Sequence, residues 1–351
     1  MTHTLDARRA LAVGGGALVV VIAAFGVAAL FIVLASKNPF DTFAVLFGYT
    51  LGNAIGFSEV VVRAIPLTLA GLGLCVAFRA NAFNIGADGQ IMVGAIVSVA
   101  LGLALPGWPS YFAVPLSLLA GALAGGLYGA LAGHLRARYN ASEIIVTIML
   151  NYVALQLLAW MIRGPLQETM AIFPRSDALP PSASLDVIIA GTRIHEGFYI
   201  AAAAVALVYL LLNRSALGFA FKVVGLSAPA ARYGGLKDRA LIVLAMGLSG
   251  GLAGLAGSIE IAGVHRRLQD DFAPSYGITA IAVALLARLD ARFVPLTALL
   301  FGVLHVGSGA MQRQIGIPFP LVWIIQGIVI LAFLYLSYMR GRARAITPEA
   351  V

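Results

Sequence analysis

The chain has 351 residues, of which 61% are hydrophobic and 11% charged, and its mean hydropathy is +0.96. A soluble domain carries roughly a quarter charged residues, and no single soluble core hides this much apolar surface, so the composition excludes an ordinary soluble enzyme and points to membrane helices. The 23 basic and 15 acidic residues give a net charge of +8; without a basic stripe interleaved with aromatics, this excess fits cytoplasmic loops rather than nucleic acid.

Arg8 and Arg9 precede Leu11–Ala35, a run of 25 residues without a charge. The apolar region of a signal peptide runs to about 7–15 residues, so 11–35 is expected to be an uncleaved first span. Nine more spans are expected near 60–78, 89–105, 111–133, 144–162, 197–213, 240–262, 272–287, 293–311 and 319–339. Lengths near 20 cross a bilayer, and shorter ones need broken or protein-buried geometry. The expected fold is an all-α polytopic membrane protein of about ten transmembrane helices, a single domain over 1–351. With both termini in the cytoplasm, 15 of the 23 basic residues fall in inner segments, among them Arg79, Arg136, Arg138, Arg232 and Arg340. That bias supports an N-in, C-in orientation. It puts Arg63 at the outer end of the second span.

Cys75 is the single cysteine and lies in an apolar run. It forms no internal disulfide and is expected to pack as a small hydrophobe. Between the second and third runs stands Arg79-Ala-Asn-Ala-Phe-Asn-Ile-Gly-Ala-Asp-Gly-Gln90. Asn81, Asn84, Asp88 and Gln90 are polar, and Gly86 and Gly89 permit irregular backbone. Two readings fit: a helix broken at a polar translocation path, tolerated where it is buried in protein or lines a cavity, or an ordinary cytoplasmic turn. In the fifth run Ser142 and Glu143 suit a helix start, while Asn151 and Gln156 join helices or meet a solute.

The segment Arg163–Glu196 is expected outside; Pro165, Pro174, Pro180 and Pro181 leave it little regular helix. The segment 214–239 is expected inside, with five basic residues and one acid, Asp238. Within it, Ser227–Lys237 reads as a short helix, with Pro229 in its first turn and Gly234 and Gly235 at its end. So short a helix is unstable alone and requires a partner surface. Leu248-Ser249-Gly250-Gly251 looks like an ATP-cassette signature but lies in an uncharged run. Its glycines, with the pairs Gly247/Gly251, Gly250/Gly254 and Ala253/Gly257, fit close helix packing in lipid. Glu260 reads as an interfacial charge near the outer end of its span. A weak repeat relates 67–97 to 250–285. It suggests inverted-topology halves, 59–213 and 240–339, on either side of the 214–239 loop.

The chain has three lysines, Lys37, Lys222 and Lys237, none in a phosphate-cradling P-loop. Any ATP that drives it is hydrolysed by another subunit. The five histidines are scattered, with no catalytic dyad, triad or metal spacing. An ion- or proton-coupled secondary transporter is the alternative reading, and Asp88 is its one plausible carrier.

Several of these segments resemble one family. Phe83-Asn-Ile-Gly-Ala-Asp-Gly-Gln90 resembles the F-N-I-G-A-E-G-Q motif of ABC-importer inner-membrane permeases of the ribose/nucleoside branch, with Asp88 where Glu is usual. Ser142-Glu-Ile-Ile-Val-Thr-Ile-Met-Leu-Asn-Tyr152 is similar to that branch's N-E-V-I-x-T-x-M-L-N-Y. Ala230-Ala-Arg-Tyr-Gly-Gly-Leu236 is similar to its A-A-R-x-x-G-I coupling element. Tyr276–Arg288 is similar to its G-x-x-x-I-A-V-A-L-L-G-R segment. The resemblance covers about Glu59 to Tyr338 and leans toward the nucleoside-type permeases.

It implies a multi-pass permease of the bacterial inner membrane, embedded in lipid. The implied partners are a second homologous permease, a cytoplasmic ATP-binding subunit and an extracytoplasmic solute-binding protein. The chain binds no cofactor itself, and ATP is used by the partner. On this reading Ala230, Ala231, Arg232, Gly234, Gly235 and Leu236 couple to the ATPase. Phe83, Asn84, Asp88, Gln90 and Asn151 line the solute path, with Phe83 free to stack on a base.

Overall fold

The computed structural model describes residues 26–270, 272 and 275–317, with isolated positions up to 331. Every regular element among them is helical, and extended pairing is limited to two isolated bridges, Arg175 with Gln269 and Val187 with His195. The chain divides into two compact units, residues 1–57 with 303–351, and residues 58–302.

In the first unit, α1 (Gly26–Leu34) and α2 (Pro39–Gly52) meet at a bend of 114°. The local sequence builds that bend. Ser36 takes a left-handed φ of 57°, and Pro39 excludes helical backbone at Asn38. The Asn38 side chain then caps α2 by accepting from Phe40 N at 3.0 Å. Ala28, Ile32, Leu46, Met311 and Ile317 form the core of this unit. The expected first span, 11–35, is described only from Gly26 onward, where it is helical. α2 is an addition that no expected span covered.

The second unit contains most of α3 (Ala54–Arg79). It also holds α4 (Ala87–Ala104), α5 (Ser110–Tyr139), α6 (Glu143–Arg163), α7 (Gly197–Arg214), α8 (Ala216–Leu226), α9 (Ala228–Tyr233), α10 (Asp238–Glu260) and α11 (Tyr276–Leu286). α12 (Val294–Ile315) starts here. α10 ends in a π turn, Ile261–His265. Of the glycines expected to let helices approach, Gly250, Gly254 and Gly257 do so, whereas Gly247 and Gly251 keep ordinary contact distances. A Cβ on Gly250 would stand 2.3 Å from Gly125 O, and one on Gly254 would stand 2.4 Å from Gly121 O. Backbones of α5 and α10 therefore touch directly, which is how helices gain contact in lipid.

Seven helices are long and apolar enough to cross a membrane, or eight if the bent α1–α2 pair is one span. Of the ten expected spans, those at 11–35 and 319–339 fall largely outside the described residues, and seven of the other eight coincide with these helices, so a count of ten is not confirmed. The expected span at 272–287 is α11, only 11 residues and about 16 Å long at 1.5 Å per residue, too short for a core of about 30 Å. Left-handed Ser275 precedes it and left-handed Arg288 and Leu289 follow it. The expected span at 319–339 lies almost wholly outside the described residues. In segment 214–239 the structure adds α8, whose Phe221 is fully buried, to the expected short helix.

The 164–196 segment contains only the 3-10 turn Pro181–Ala183, as its prolines suggested. It is tied down by polar contacts instead. Ser176 N donates to Leu268 O, and Leu268 N to Ser176 Oγ, both at 2.8 Å. Leu179 N donates to Arg266 O, and Leu185 N to Ala262 O. Glu168 pairs with Arg175 at 2.6 Å.

Candidate translocation site and coupling segment

The break between α3 and α4 is real. α3 stops at Arg79, and Asn81 takes a left-handed φ of 53°, a conformation asparagine tolerates. Asn84 then organises the start of α4. Its Oδ1 accepts from Gly86 N and from Gln90 Nε2, both at 3.0 Å. Its Nδ2 donates to Gln90 Oε1 at 2.8 Å and to Ser249 Oγ at 2.9 Å. Asn151 reaches across from α6, accepting from Gly89 N at 2.8 Å and donating to Ile85 O at 3.0 Å. Asp88 Oδ1 accepts from Gly277 N on α11 at 2.6 Å.

Four of the expected path residues thus converge on the first turn of α4. Asn84 and Gln90 are 0% and 1% exposed, and each satisfies the other. Ser249 and Asn151 stand midway along the apolar helices α10 and α6. The irregular backbone is therefore buried in protein beside helix centres, the setting in which such backbone is tolerated. Phe83 departs from the group: it is 46% exposed and leans on Phe78 with ring centroids 5.5 Å apart.

A second polar cluster was not anticipated. Glu260, read from sequence as an interfacial charge, is 1% exposed. Arg63 is not at a helix end but in the body of α3, and its Nη1 is 3.1 Å from Glu260 Oε1. The same guanidinium nitrogen donates to the Tyr276 hydroxyl, which in turn donates to Glu260 Oε1 at 3.2 Å. The available signal was one cation and one anion, each bordering a long uncharged run, 64–78 in α3 and 240–259 in α10. Such charges face the bundle interior and pair, but a separation of 197 residues hid the partnership.

The coupling segment folds as its residues dictate. Ser227 Oγ caps α9 by accepting from Ala230 N at 3.3 Å, and Pro229 occupies the first turn. Gly234 N returns to Ala230 O, and Gly235, at φ +80°, turns the chain away. Ala231 is fully buried in a cluster with Ala77, Ala82, Ala132, Val224, Ile242 and Met246, against which Leu236 also packs. This supplies the partner surface so short a helix requires. Ala230, Arg232, Gly234 and Gly235 are exposed, and Tyr233 is 98% exposed. Arg232 Nε lies 3.4 Å from Asp238 Oδ2. The result is a small knob, clamped on one side and bare on the other.

A family described as the permease component of branched-chain amino acid transport systems matches residues 56–334. Among the similar proteins is a glucose ABC transporter permease of Haloferax volcanii, 38% identical over 94% of this chain and 89% of its own. A guanosine ABC transporter permease of Bacillus subtilis is 34% identical over 92% of both chains. A nucleoside ABC transporter permease of Lactococcus lactis is 30% identical over 89% of this chain and 88% of its own. No solved structure matches. The secondary-transporter alternative finds no support among these relatives. With its apolar helices, close-packed glycine seam and match across 56–334, the chain is a multi-pass cell-membrane protein that belongs to this family of ABC transporter permeases.

Proposed function

We propose that the chain forms half of the membrane conduit of an ATP-driven importer for an uncharged polar solute, a nucleoside or a simple sugar. The observation that carries the reading is the α9 knob: an exposed aromatic and an exposed arginine held on a buried anchor, in a chain of ABC permease type. The knob seats in a cytoplasmic ATP-binding subunit that supplies the hydrolysis. Closure of that subunit rocks the half 59–213 against the half 240–339, with both termini inside. A second homologous permease completes the conduit, and an extracytoplasmic protein delivers the solute. The similar permeases for glucose, guanosine and nucleosides support the solute class.

On this reading Ala231 and Leu236 fix the knob, while Ala230, Arg232, Gly234 and Gly235 meet the ATPase. Around the start of α4, Asn84, Asp88, Gln90 and Asn151 hold the wall of the path, and Phe83 offers an exposed ring for stacking. Uptake into proteoliposomes tests the proposal. The assembled transporter accumulates guanosine or glucose only with ATP inside the ATPase compartment. Uptake by this chain alone that collapses with the proton gradient would contradict it.

A further inference from the structure

Three helices and a π turn converge on one carboxylate. Glu260 closes α10, and its Oε1 accepts from Arg63 of α3 and from Tyr276, which opens α11. His265 of the π turn brings Nε2 to 3.4 Å from the same Oε1. His195, itself 1% exposed, lays its ring on this turn: a Cβ on Gly263 would stand 2.6 Å from three of its ring atoms. Its Nδ1 accepts from Gly197 N at 3.2 Å. Glu260 Oε2, His195 Nε2 and His265 Nε2 are buried and have no hydrogen-bond partner among the described residues.

That concentration sets the cluster apart from the helix break. An unsatisfied buried polar atom costs about 1–3 kcal/mol, and folded proteins leave few of them. At the break, each side-chain polar atom of Asn84, Gln90 and Asn151 has a partner in another of the three, in Ser249 or in backbone. At Glu260 the oxygen Oε2 remains without a partner among the described residues, and Nε2 of His265 and of His195 are likewise without a hydrogen bond. Arg63 and Glu260 cancel in formal charge, so the cluster has no net attraction for an anion when the histidines are neutral.

We infer that Glu260 is a solute-binding group of the conduit, with Oε2 accepting a hydrogen bond from a hydroxyl or N–H of an uncharged solute. Arg63 and Tyr276 are positioning residues: they hold Oε1 and so aim Oε2. The inference rests on the proposed function, and it identifies the contact that a phosphorylated solute would lose to repulsion by the carboxylate. Rocking of α3 against α10 and α11 is the motion that opens the cluster to the solute.

Saturation-transfer NMR on the permease bound to its ATP-binding subunit, without the solute-binding protein, tests this with guanosine, uridine and glucose as probes. The wild type binds at least one of them, and none of the corresponding phosphates. Glu260→Gln weakens that binding at least tenfold, and Tyr276→Phe weakens it about threefold. The paired change Arg63→Met with Glu260→Met leaves no buried charge unpaired; it retains the thermal midpoint and binds no probe. Wild-type affinity in any of these variants, or no saturable binding by the wild type, overturns the inference. Uptake by the complete transporter separates the two failures. Uptake without direct binding sinks the Glu260 site alone, whereas absence of ATP-dependent uptake sinks the importer reading on which it rests.

Discussion

Alanine at Gly254 and alanine at Gly251 have opposite effects, although the two positions are one turn apart on α10. At Gly254 a Cβ would stand 2.4 Å from Gly121 O and 2.9 Å from Gly125 Cα, both backbone atoms of α5. At Gly251 the nearest atom is Ala122 O at 3.4 Å, an ordinary contact. The first substitution therefore forces the α5–α10 seam apart by about 1 Å, a gap that forfeits up to half of each dispersion contact along it. Backbone cannot swing aside as a side chain can, so the overpacking cost sits at the upper end of its range, about 3 kcal/mol.

Alanine recovers about 1 kcal/mol of helix propensity at either position. The net is a loss of about 2 kcal/mol at Gly254 and a gain of up to about 1 kcal/mol at Gly251. At about 2–4 °C per kcal/mol, the midpoints separate by about 6–12 °C. Cys75 supplies the assay: it is the single cysteine and is fully buried. A thiol-reactive fluorophore in detergent therefore reports its exposure on heating. Coincident midpoints for the two variants would refute the close-seam account.

Three further outcomes follow from named contacts. Asn151→Ala unpairs Gly89 N and Ile85 O at about 1–3 kcal/mol each; the Cys75 assay reads a midpoint lowered by several degrees, with Asn151→Asp, which keeps the acceptor, in between. Arg232→Glu places a second acid beside Asp238 on the exposed side of the knob. Membrane insertion, read by fractionation, stays intact and ATP-driven uptake is abolished. In the 164–196 segment, the Arg175 guanidinium, reinforced by Phe173 N–H, holds the Glu168 carboxyl below its ordinary range. A lowered carboxylate stabilises the fold above its unfolded value, about 4.3, and loses that contribution as pH falls through the folded one. Hydrogen exchange at Phe173 N–H therefore differs between wild type and Arg175→Gln at pH 6, and the difference is lost as pH is brought below the lowered Glu168 value. A difference that persists at the lower pH contradicts the pairing.

How much of this was legible in the sequence depended on the range of the interaction. Local chemistry read through directly: Ser227, Pro229, Gly234 and Gly235 delimit α9 as their capping preferences require. Long uncharged runs located α3 to α7 and α10, because burial in lipid demands them. The small-residue spacing of α10 foretold its close approach to α5. Hydropathy failed where backbone conformation decided the outcome. The apolar run at 272–287 is interrupted by left-handed Ser275 before α11 and by Arg288 after it, so a stretch that scores as a span is a short helix. No span was expected over 36–52, although Asn38 and Pro39 there supply the cap and first turn of α2. The Arg63–Glu260 pair was the costliest omission. Each charge was assigned singly to an interface, whereas only the fold brings α3, α10 and α11 to one point.

The account depends on α9 facing the compartment that holds the ATPase, and sidedness labelling tests that most directly. In a Cys75→Ala background, Tyr233→Cys puts a thiol at the most exposed position of the knob. A membrane-impermeant maleimide is predicted to label it in inside-out vesicles and not in intact cells, and bound ATP-binding subunit is predicted to protect it. Labelling from outside intact cells would contradict the account.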